Sequence, residues 1–204
     1  MKGLFSLFKR QPRQAQVPAV LATVPAAPNF SSYQWFGVTE GDDLQQGDIF
    51  ENCRVYVPVQ DQSGEQDELK LEWGERDLIV LSQSCDLVKG QKNLDEVILC
   101  ELWRISEYKP PNPFSKKEGL EAVRKGQRPR FHMIGKSEIA GFEREIRIVD
   151  LQQIHSMPMS LLRSRASKEK HLRLLPPYRE HLSQSFARVF MRVGLPIDIP
   201  PFVK

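Results

Sequence analysis

From Asp48 to Leu151 the apolar residues either alternate with polar ones or run unbroken for a few positions, the spacing of strands rather than helices. The segment DIFENCRVYVPV, Asp48 to Val59, is dense in β-branched and aromatic side chains and gives way to the turn-rich QDQSGEQD, which predicts a strand and a loop. In ELKLEW, Glu68 to Trp73, the period of two puts Leu69, Leu71 and Trp73 on one face, the pattern of a half-buried antiparallel strand that Gly74 should end. DLIVLS, Asp77 to Ser82, is continuously apolar and predicts a central strand buried on both faces. DEVILCELWRI, Asp95 to Ile105, predicts another long strand, with SCDLVKGQKN as the connector. PRFHMI, Pro129 to Ile134, and EREIRIVDL, Glu143 to Leu151, predict a hairpin around Gly135 to Gly141.

Helical signals lie between and after these strands. KKEGLEAVRKG predicts a short helix closing at Gly126, and PMSLLRSRASK predicts a second, with Pro158 near its start. The last is the clearest: Pro176 and Pro177 suit a first turn, and Gly194 with Pro196 suits a stop. Between them Tyr178, Leu182, Phe186, Val189 and Val193 form one apolar stripe for the sheet. His181, Gln184, Ser185, Arg188 and Arg192 form a second stripe, on a neighbouring face open to a ligand.

Composition bounds the class. A chain of 204 residues with 40% hydrophobic and 27% charged residues fits one ordinary globular domain plus unpacked sequence. No apolar run approaches a membrane-spanning length, so no integral membrane association is expected. Cys53, Cys85 and Cys100 cannot all pair and form no CxxC, which points to a reducing cytoplasm. Residues 1–40 read as a flexible arm: MKGLFSLFKR mixes apolar and basic residues and could dock on a partner, and an Ala/Pro/Val linker follows. That linker is too short and too broken by proline for a signal-peptide core.

The net charge of +3 is unevenly spread, at +4 over residues 1–16, −7 over 17–159 and +6 over 160–204. Arg163, Arg165, Lys168, Lys170, Arg173, Arg179, Arg188 and Arg192 could steer RNA or DNA, or an acidic protein, to the C-terminal region. The most distinctive polar string is Ser82-Gln83-Ser84-Cys85-Asp86, at the end of the apolar strand, where a rigid element would hold an exposed site. A Cys85 nucleophile would need a base, with His132 or His181 as candidates and Asp86 next in sequence. The four histidines lie 23, 16 and 10 residues apart, so no metal motif is present, and no GxGxxG or GxxxxGK occurs. No cofactor is expected.

QGDIF at Gln46 to Phe50, followed by DLIVLSQ at Asp77 to Gln83, resembles the opening of the MazF/PemK-type toxin barrel over residues 44–105. The resemblance implies a small SH3-like β-barrel with a C-terminal helix and metal-independent cleavage of single-stranded RNA. It places Gly47, Asp48 and Ser82 at motif positions, with the loops after Ile49 and Ser82 flanking the site. The expectation is therefore a mainly β (α+β) protein: a partly closed SH3-like barrel over 44–157, with a helical extension, 158–204, packed against it. The functional expectation is a cytoplasmic bacterial accessory protein of the toxin–antitoxin or phage-defence kind that engages nucleic acid or a protein partner. Its binding residues would be Gly47, Asp48, Ser82, Gln83, Ser84, His181, Gln184, Arg188 and Arg192. The alternatives are a MazF/PemK-type ribonuclease and a hydrolase built on Cys85, Asp86 and His132.

Overall fold

The computed structural model describes residues 33–60, 69–90, 94–107 and 116–191. In chain order they form β1 (Phe36–Thr39), β2 (Asp48–Gln60), β3 (Leu69–Val80), β4 (Glu96–Arg104), α1 (Lys117–Arg124), β5 (Phe131–Ile134), β6 (Arg147–Pro158), α2 (Met159–Ala166), β7 (His171–Leu174) and α3 (Tyr178–Phe190). The strands make one antiparallel sheet in the order β1-β7-β2-β3-β4-β6-β5. The mainly β class follows from the alternating sequence. Among the described residues no ladder joins β1 to β5, so the sheet is not closed. Its two edges meet at one point, where Trp35 lies so close to Gly135 that a Cβ there would come within 2.6 Å of the indole. Only glycine permits that approach.

The central strands explain the continuous apolar run. Leu78 and Val80 face one core, with Phe50, Val97, Leu99 and, from α2, Leu162 and Ala166. Ile79 and Leu81 face the other, with Leu102, Val149, Leu151, Leu172 and, from α3, Tyr178 and Leu182. A helix thus covers each face of the sheet, and a strand between two cores has no polar side to alternate with.

The structure corrects four expectations. Gly74 does not end a strand, because β3 runs unbroken from Leu69 to Val80 and pairs with β2 along most of its length. The face carrying Leu71 and Trp73 is not half-buried: these side chains are 70% and 59% exposed, since β4 pairs with β3 only from Asp77 to Val80. The region after residue 158 is not purely helical, because β7 inserts between β1 and β2 as an interior strand. The expected arm also contributes β1 at its C-terminal end, whereas residues 1–32 lie outside the described part. Neither β1 nor β7 announces itself, being four residues long with a charged or glycine position inside each.

Candidate functional site

The motif residues are held by the fold itself. Gly47 has φ +89, donates its N–H to the Val80 carbonyl and accepts from Leu174 N, so a side chain there would press on the β7 backbone. Asp48 is fully buried and receives Arg173 through both carboxylate oxygens and the Gln45 N–H. Burial works to raise its pKa, but the hydrogen bonds from His171, Arg173 and Gln45 and the Arg173 charge outweigh it and hold the carboxyl below its usual range. Asp48 thus clamps β2 to β7.

The polar string after β3 is also largely committed to local structure. Ser82 Oγ accepts the Ile98 N–H at 2.9 Å, Ser84 Oγ accepts the Gln46 N–H at 3.1 Å, and Gln83 Nε2 donates to Ser183 Oγ at 3.1 Å. Cys85 is exposed, with its thiol 3.5 Å from Asp86 Oδ1. Its shallow surroundings are Gln46, Gln83, Ser84, Arg179, Glu180, Ser183 and Gln184, with no histidine among them. The pairing of Cys85 with His132 or His181 expected from the sequence does not form: His132 Nδ1 lies 2.9 Å from Ser185 Oγ on α3 instead.

His132 and the second stripe of α3 do converge, on a cleft of about 930 Å³ between β5, α1 and α3. Its walls carry His132 from β5, Arg124 and Lys125 from the end of α1, and His181, Gln184, Ser185 and Arg188 from α3, beside Trp35, Phe131 and Ile146. Among the described residues no carboxylate lines it. Glu121 takes both nitrogens of the Arg124 fork and lies 3.6 Å from Lys125, so α1 adds less charge than its sequence suggests. Ser185 Oγ donates to the His181 carbonyl at 2.9 Å and so links the two histidine positions. Burial, then the nearby His181, lowers the His132 pKa to about 4, which leaves a neutral imidazole in the cleft wall near neutral pH. Arg192 lies outside the described residues.

Most of the basic C-terminal residues are engaged elsewhere. Arg163 donates to the Leu87 carbonyl, Arg165 to Glu51 O and Cys53, Arg173 to Asp48, and Arg179 to Glu180. The run therefore does not act as one patch; much of it ties helices and β7 to the sheet. Sequence reasoning omitted Trp35, Arg124, Lys125 and Phe131 from the site, because nothing in their local sequence shows that β5 and α1 lie beside α3. Ser185 stood in the stripe, next to Gln184, but only the fold puts it against His132.

Among the described residues no helix is long and apolar enough to cross a membrane. No protein-family model, no curated protein and no solved structure matches the chain.

Proposed function

We propose that the protein is a cytoplasmic bacterial accessory module, of the toxin–antitoxin or phage-defence kind, that holds single-stranded nucleic acid in the cleft between β5, α1 and α3. One observation carries this reading: a cleft within a chain whose body is acidic is lined, among the described residues, by cations and two histidines without any carboxylate. Arg188, for which no ion pair forms among the described residues, and His181 stand at the rim to meet phosphates, while Phe131 and Ile146 offer apolar surface to bases. In this reading Gly47 and Asp48 are determinants of the fold, joining β2 to β7, rather than groups that touch the ligand.

The test is fluorescence anisotropy with labelled single-stranded RNA and DNA oligomers of unrelated sequence. Arg188→Ala should weaken all of them and reduce the slope of log affinity against log salt by about 0.7, the value for one phosphate contact on a single strand. Absence of binding at low salt, or a variant with unchanged slope, would end the reading.

The second reading, a metal-independent ribonuclease, is favoured by the two histidines in the same cleft. The neutral ring of His132 can accept the 2′-hydroxyl proton, and His181 in its charged form can give one to the leaving 5′-oxygen. Its signature is a 2′,3′-cyclic phosphate product that forms in the presence of a chelator and disappears in His181→Gln.

A further inference from the structure

Ser185 Oγ has two polar neighbours at hydrogen-bond distance, His132 Nδ1 at 2.9 Å and the His181 carbonyl oxygen at 2.9 Å. A hydroxyl carries one proton and two lone pairs, and a carbonyl oxygen can only accept. If the proton goes to the carbonyl, one turn back on α3, Oγ is left as an acceptor and His132 Nδ1 must donate to it. If the proton goes to Nδ1 instead, two acceptor oxygens face each other at 2.9 Å with no proton between them. Only the first arrangement makes both contacts hydrogen bonds. His132 is neutral near neutral pH, because burial and the neighbouring His181 bring its pKa to about 4, so the ring carries a single proton. With that proton on Nδ1, Nε2 is a bare lone pair. Among the described residues Nε2 has no hydrogen-bond partner, and the partly buried ring lines the cleft. Arg188 and the end of α1 give the same wall a positive character, which favours a bare Nε2 over an Nε2–H dipole.

We propose that Ser185 is a positioning residue: it fixes His132 as the Nδ1–H tautomer, so that Nε2 is the acceptor the cleft presents to a hydroxyl donor on an anionic strand, the 2′-hydroxyl of ribose. The proposal rests on the reading of the cleft as a nucleic-acid site and adds to it a preference for RNA over DNA. Arg188 meets phosphates on either kind of strand, whereas only RNA carries a donor beside the phosphate that a bare nitrogen can accept. A bound DNA strand leaves Nε2 unpaired at the cost of one hydrogen bond. Ser185 is not a nucleophile in this arrangement, since its proton is committed to the carbonyl.

The experiment has two arms. In the first, long-range proton–nitrogen correlation spectra of the nitrogen-15-labelled full chain, taken without ligand at about pH 7.5, read the tautomer of His132 directly. The wild type should be protonated at Nδ1 and bare at Nε2, the reverse of the form that free histidine favours. Ser185→Ala should shift the ring towards Nε2–H, and Ser185→Thr, which keeps the hydroxyl, should restore Nδ1–H. A loss of packing alone would not produce that pattern. In the second arm, fluorescence anisotropy compares one RNA oligomer with its 2′-O-methyl form and with the matching DNA. The wild type should bind the RNA roughly three- to tenfold more tightly than either of the others, the worth of one hydrogen bond, and Ser185→Ala should narrow the difference by weakening RNA alone. A wild-type ring in the Nε2–H form, a tautomer that Ser185→Ala leaves unchanged, or equal affinity for RNA and its 2′-O-methyl form would each overturn the proposal. If no oligomer binds, the reading of the cleft falls and the 2′-hydroxyl with it, whereas the spectra, which need no ligand, still decide whether Ser185 sets the tautomer.

Discussion

Protonating His132 brings a charge into a cleft wall that has no acid among the described residues to receive it, and this makes acidification a direct probe of the site. Burial, and secondarily His181, lowers its pKa from 6.5 to about 4. In the unfolded chain the ring titrates near its ordinary value. Between those two values the unfolded state binds the proton and the native state does not, so unfolding becomes easier as the pH falls. The stabilisation is fully present above about pH 6.5 and is lost progressively towards pH 4. At about 1.36 kcal/mol per unit, the whole window is worth about 3 kcal/mol, of which about 2 to 3 kcal/mol is lost by about pH 4.5. Asp48 and Glu51 are held below the usual carboxylate range by their arginine partners against the opposing effect of burial, so they begin to protonate only at lower pH. The assay is urea unfolding of the wild type and His132→Gln at about pH 7.5 and 4.5, the variant keeping an amide towards Ser185 while carrying no titratable proton. The wild type should lose about 2 to 3 kcal/mol more than the variant between the two conditions. Equal losses would refute the burial of a neutral His132.

Two further outcomes follow from the packing. Leu182→Ala, at a position with no exposed surface under α3, should cost about 2 to 5 kcal/mol in denaturant unfolding, with Phe186→Ala costing less than a fully buried phenylalanine would. Met191→Ala, 78% exposed, should change stability by no more than about 0.5 kcal/mol, and a similar cost at 182 and 191 would mean that α3 is seated on another face. Iodoacetamide near neutral pH should add one group to the native protein, at the exposed Cys85, because burial pushes Cys53 up to about 11 and Cys100 up to about 12. Cys85→Ser should then take up none, and a second rapid adduct would show that one of the buried thiols is open.

How far the fold could be read from the sequence varies with the burial of each element. β4 and the inner half of β3 were legible because both faces are buried and the apolar run is continuous. α3 was legible because Tyr178, Leu182, Phe186 and Val189 repeat at helical spacing. The outer half of β3 shows the limit: alternation reports that one face of a strand is apolar, but not what covers it. β1 and β7 escaped because their apolar residues pack through neighbours distant in sequence, such as Phe36 opposite Leu174, and four residues are too few to show a period. The site was half legible for the same reason. The α3 stripe could be seen on one helix, whereas its union with His132 and the end of α1 depends on β5 lying at the sheet edge.

The charge pattern makes the same point with more consequence. Counted along the chain, the basic C-terminal region resembles one patch for a polyanion, and Asp48 in its motif resembles a binding residue. In three dimensions the two readings cancel, because Arg173 from that region is the counter-charge of Asp48, and the pair joins β7 to β2 at a position with no exposed surface. Breaking such a pair leaves an unpaired buried charge, which explains why a residue of this kind is needed without any chemistry. The same holds for Glu51, bound by Arg144 and by the fully buried Arg147. Removing these internal pairs from the count leaves a short set of cations to face a ligand, and Arg188 stands among them in a cleft lined by no carboxylate among the described residues. Affinity for an anion depends on that residual set and not on the formal total, so substitutions of Arg173 or Arg165 should act on folding, while Arg188→Ala should act on binding alone.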